Sequence, residues 1–107
     1  MRIIDWWYRK PKIDYPPGWE ATAKAWIATH PFCRACGRRT FLQVHHKVPL
    51  HVNPRLALDP TNLITLCMFP GVADHFHVGH YGISWFDFNP NVELEADRLL
   101  RVRTHAS

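Results

Sequence analysis

The stretches Phe41-Leu42-Gln43-Val44-His45-His46 and Asn62-Leu63-Ile64-Thr65-Leu66-Cys67 decide the architecture. The first belongs to a strand expected over 40–46. The second, β-branched and apolar, reads as its partner. They can pair as an antiparallel hairpin across a long loop, 47–61, punctuated by Pro49, Asn53-Pro54 and Asp59-Pro60. Loops of this length in compact domains are often functional. The first strand ends on two adjacent histidines. Consecutive strand residues point to opposite sides, so one imidazole can bind a metal while the other handles a proton.

Cysteines flank this doublet. Cys33-Arg34-Ala35-Cys36-Gly37 has the form of a zinc knuckle, with Gly37 permitting the tight turn, and Cys67 closes the second strand. An odd count of three cysteines argues against a disulfide framework, and Cys-x-x-Cys without a secretory signal favours metal or redox use in a reducing cytoplasm.

The chain of 107 residues suits one domain, and a metal would supplement its modest core. Composition is globular, 47% hydrophobic and 21% charged. No apolar run of about 18 residues exists, which excludes a transmembrane helix. Met1-Arg2-Ile3-Ile4-Asp5-Trp6-Trp7 has no signal-peptide pattern. A net charge of +4 is compatible with a nucleic-acid partner.

Residues 1–17 read as an extended aromatic and basic arm. It either packs on the core through its tryptophans or brings Arg2, Arg9, Lys10 and Lys12 to phosphates. Residues 19–29 form a helix whose Trp19/Ala23/Trp26/Ile27 stripe is expected in the core. A turn at 68–73 precedes a short helix from Asp74 to Val78. A last helix starts near Asn91, the expected N-cap, with Glu93 and Glu95 in its first turn.

Four motifs together resemble the HNH endonucleases: Cys33-x-x-Cys36, Val44-His45-His46-x-x-Pro49, Asp59-Pro60-x-Asn62-Leu63-x-x-Leu66-Cys67 and Asp74-His75. Their order is similar to the phage and bacterial branch that carries a zinc knuckle. The resemblance covers about residues 26–90, with 18–107 as the nuclease domain. It implies an α+β fold, a small ββα-metal (His-Me finger) domain with flanking helices. It also implies roles: His45 and His75 as ligands of one catalytic divalent metal (Mg, Mn, Ni or Zn), His46 as general base, and Asn62 as brace of the loop that carries the base. His80 matches a further late histidine of less certain role. Arg34, Arg38, Arg39 and Lys47 are the expected DNA contacts. Small stand-alone relatives often act beside terminase subunits, which makes such a protein a candidate partner beside DNA.

Two points stay open at this level. Relatives with the knuckle usually supply a fourth cysteine where this chain has Asp74. The structural zinc would then take Cys33, Cys36, Cys67 and either Asp74 or His77, which share a helical face. His75 also has rivals: on an α-helix His75 and His77 point about 200° apart and cannot both face the cleft. The expected function is metal-dependent hydrolysis that nicks or cuts duplex DNA. The competing function is a non-catalytic, zinc-stabilised DNA-binding module.

Overall fold

A computed structural model describes residues 13–82 and 84–105, so Arg2, Arg9, Lys10 and Lys12 lie outside the described residues. Helix α1 spans Trp19–Thr29, strand β1 Leu42–His46, strand β2 Leu63–Cys67 and helix α2 Val92–His105. The strands pair antiparallel, with Leu42 opposite Cys67, Val44 opposite Thr65 and His46 opposite Leu63. The result is a small α+β domain built on a two-stranded sheet.

Every residue of β2 is buried, which explains its unbroken apolar run. On one side α1 packs on the sheet. The Trp26 indole N–H donates to Thr65 Oγ1 at 3.0 Å, and that hydroxyl donates to the His30 carbonyl at 2.9 Å. The α1 stripe expected in the core is only half-buried, because a sheet of two strands is too narrow to cover a whole helix face. On the other side Ile64, Leu66 and Cys67 join Cys33, Ala35, Val78, Val92 and Ala96 in the main apolar cluster.

The long loop is less open than its length suggests. It contains two 3-10 turns, Pro54–Leu56 and Pro60–Asn62. Asn53 and Asp59 cap them by accepting from the amides of Arg55 (3.1 Å) and Thr61 (2.9 Å), and a proline leads each.

The segment expected as a short α-helix is a π-helical turn, His75–Gly79. Asn89, fully buried, ties it to α2. Its amide group donates to the Val78 carbonyl and the Glu95 carboxylate, while its oxygen accepts from the Tyr81 hydroxyl and the Asn91 amide. Asn91 stands at the N-cap, where its carbonyl accepts from the Glu95 amide, but the polar side chain that organises the helix start is Asn89. Truncating Asn89 strands these buried partners. Asn89→Ala is expected to lower stability by about 2 kcal/mol in urea unfolding, whereas Leu94→Ala, at a position 68% exposed, should change it by less than about 0.5 kcal/mol.

Candidate active site and metal centres

Strand alternation separates the two histidines. His45 is 1% exposed and turns toward the π turn. There it meets His75 and His80, with ring centroids 5.0 and 4.8 Å away. One ring nitrogen from each of the three buried imidazoles lies within 4.8 Å of the others. His75 Nδ1–H donates to Gln43 Oε1 at 2.8 Å, and His80 Nδ1–H donates to the Asp87 carbonyl at 2.6 Å. Both bonds place the proton on Nδ1 and turn Nε2 into the coordinating nitrogen. Three imidazoles, two of them with tautomers set this way, fit a divalent metal that keeps an open position.

The π winding explains why His80 joins His75. Along an α-helix, residues five apart diverge by about 140°. A turn closed by i→i+5 bonds brings the chain back to the same side after five residues. His77 is carried outward instead, where a Cβ on Gly82 would sit 2.9 Å from its Nδ1. Gly79 lets the π turn press on the cluster, since a Cβ there would lie 3.0 Å from His45 Nδ1.

His46 faces the other side of β1. Its Nε2–H donates to the Ala57 carbonyl at 2.9 Å, which makes Nδ1 the basic nitrogen. Asn62, 5% exposed, reaches across the same loop: its oxygen accepts from the Val48 amide (2.8 Å) and its nitrogen donates to the carbonyls of Val48 (3.0 Å) and Leu56 (3.2 Å). Asn62 therefore holds the residue next to the carbonyl that orients His46. The Trp19 ring lies tilted against the His46 ring, with centroids 4.5 Å apart, and Tyr15 stacks on Trp19 at 5.0 Å. A cleft of about 490 Å³ opens over His45, His46, His75 and His80.

The helical stripe predicts a core place for Trp19, and nothing in the pattern marks its ring as a partner of His46. Gln43 is legible in the pattern, because it lies two residues before His45 and shares its face. The Asp87 contact runs through a backbone carbonyl, for which no side chain leaves a signal.

The second metal-capable group is Cys33, Cys36, Cys67 and Asp74. Cys36 and Cys67 sulfurs lie 3.7 Å apart, and Asp74 Oδ2 lies 3.3 Å from Cys33 Sγ and 3.6 Å from Cys67 Sγ. A tetrahedral zinc with ordinary bond lengths needs edges of about 3.8 Å between sulfurs and about 3.5 Å between sulfur and oxygen. The donor set fits. His77 does not enter this group among the described residues. Arg103 of α2 donates to both Asp74 oxygens, at 3.1 and 3.0 Å, and to the Ala35 carbonyl at 2.9 Å. Burial pushes the Cys33 thiol well up and the Cys67 thiol up, and Asp74 adds to both, so metal uptake here must release protons.

Of the basic residues expected at DNA, Arg34 pairs with Asp97 (2.7 Å) and Glu93 (3.3 Å), and Lys47 pairs with Glu93 (2.8 Å). The hydrogen bond from Lys47 holds the Glu93 carboxyl below its usual range. Arg38 and Arg39 lie over the rings of Phe69 and Phe32, at 4.5 and 4.2 Å.

Two outcomes follow from this geometry. Purified protein should carry zinc at the cysteine group by mass spectrometry. Asp74→Ala should lose that zinc and at least about 2 kcal/mol of stability, because it removes one member of a buried charged pair, while Asp74→Cys should retain the metal. Gln43→Ala should weaken divalent-metal binding at the histidine cluster about 10- to 100-fold, read by calorimetric titration of protein already loaded with zinc.

No curated protein and no solved structure matched the chain. No helix among the described residues is long and apolar enough to cross a membrane. Residues 33–68 match the family model described as HNH endonuclease. That span holds the three cysteines, His45, His46, Asn62 and both strands, and it stops before Asp74, His75 and His80. This match over about a third of the chain, on a two-stranded sheet flanked by cysteine and histidine groups, is consistent with a small ββα-metal HNH domain.

Proposed function

We propose that the protein is a metal-dependent DNA endonuclease in which His46 activates the attacking water, with 18–107 as its catalytic domain and 1–17 as an arm. The observation that carries this reading is the division made by β1. One histidine enters a three-imidazole cluster, and the next is oriented by a loop carbonyl at the edge of the same cleft.

His46 Nδ1 accepts a proton from water, and the resulting hydroxide attacks the phosphorus in line with the leaving 3′ oxygen. The P–O3′ bond breaks, leaving a 5′-phosphate, and the 3′ oxygen is protonated from solvent. Ala57 continues to accept from Nε2–H while the ring is charged, so the orientation survives the proton transfer. Asn62 keeps that carbonyl in place through Leu56 and Val48. A divalent cation held by His45, His75 and His80 would supply the positive charge that phosphate hydrolysis needs. The side chain provides the base, so one cation suffices.

The test is plasmid nicking with Mg²⁺, Mn²⁺ or Ni²⁺. His46→Ala should abolish nicking and leave DNA binding intact. Asn62→Ala should slow it about 10- to 100-fold, the range seen when a group that orients an active-site residue is lost. Wild-type protein that binds DNA and cuts none with any of these cations would instead be a non-catalytic module. Undiminished cleavage by His46→Ala would remove His46 as base.

A further inference from the structure

The walls of the cleft suit a nucleobase better than a sugar-phosphate chain. Among the described lining residues the only fixed charge is Asp14, and no lysine or arginine lines it. Two of the cations expected at DNA, Arg34 and Lys47, are already engaged by Glu93 and Asp97 of α2. A duplex laid over the site would present a row of phosphates, which need cations around them. The imidazole cluster can serve one phosphate. The rest of the described wall offers its neighbours Asp14, the His51 imidazole and mostly apolar surface.

What the wall does offer is flat rings. Phe86 is 64% exposed and Tyr15 is 38% exposed, yet both line the cleft. Phe86 meets His51 edge to face, with centroids 6.1 Å apart, and so joins the 81–88 segment to the loop after β1. Tyr15 stacks on Trp19, whose ring lies tilted against His46. Pro49 and Pro54 add wall surface that lacks a backbone N–H. At about 490 Å³ the cleft falls within the range of small-ligand pockets, which run from about 300 to 1,000 Å³. Burying exposed aromatic surface against a base face is favourable for any base, because each has a π face.

We propose that this cleft holds an unpaired nucleobase beside the scissile phosphate, so that single-stranded or locally unpaired DNA is preferred over intact duplex. The inference rests on the nuclease reading above for the word "scissile", and its binding test does not depend on cleavage. In a duplex the base must first be taken out of its stack, whereas a single strand presents it directly.

The experiment is fluorescence anisotropy of the full chain with a labelled single strand and with the hairpin duplex of the same sequence. Both carry phosphorothioate linkages to slow cleavage. Single strand is expected to bind at least about tenfold more tightly. Phe86→Ala and Phe86→Leu should both weaken single-strand binding, by about 5- to 150-fold, and Phe86→Trp should restore it. The leucine variant keeps apolar area and loses the flat ring, so it separates stacking from simple burial. A single-strand preference that collapses in the Phe86 variants supports the proposal even if no DNA is cut, in which case only the nuclease reading fails. Equal affinity for the two DNAs, or single-strand binding indifferent to Phe86→Ala, overturns it even if plasmid nicking is robust.

Discussion

The register of β1 against β2 is the constraint from which the rest follows. His46 opposite Leu63 and Leu42 opposite Cys67 are two readings of one alignment. A slip of one residue would exchange the faces of His45 and His46. The imidazole now buried against the π turn would face the loop, and the one oriented by Ala57 would face the other two imidazoles. Full burial of β2 makes such a slip costly, because each of its five residues has a place in the interior. The sheet is thus a sorting device for side-chain chemistry as much as a source of stability.

Around that sheet the polar contacts fall into two groups. One group fixes backbone to backbone through an amide side chain: Asn62 across the long loop, Asn89 across the junction between π turn and α2. Each asparagine is buried, and each offers two N–H donors and an acceptor oxygen on one planar amide. The other group is ionic and links α2 to the knuckle region through Arg34, Lys47 and Arg103. The exposed pairs at Glu93 contribute little individually. The Arg103 contact differs, because Asp74 is 1% exposed and its charge has been taken out of water.

Much of this was legible in the sequence, for physical reasons that can be named. The two strands, the knuckle and the α1 and α2 helices announce themselves through apolar period, turn residues and caps, all of which are local. The consecutive histidines announce a division of faces because strand alternation is strict. The π turn was not legible. Asp74 to Gly79 carries no residue that forbids an α-helix, and nothing local marks the wider winding that brings Gly79 against His45. His80 accordingly looked peripheral, and His77 looked like a rival ligand. Trp19 was misplaced for a related reason: a helical stripe of aromatics predicts burial, and it does not predict which neighbouring ring does the burying. The four-residue cysteine group was half legible, since Asp74 could be named as a donor but the arginine that holds it, Arg103, lies far along the chain.

Asp74 and His75 are neighbours in the chain, and their side chains enter two different metal-capable groups. A single peptide unit therefore joins the centres. Rotation of that unit to relieve one set of donors displaces a donor of the other. By linkage, any free energy that one ion gains from holding the unit in place is returned to the second ion as affinity, in equal amount and in both directions. Were ions bound at both groups, the two would form one thermodynamic system with two mouths.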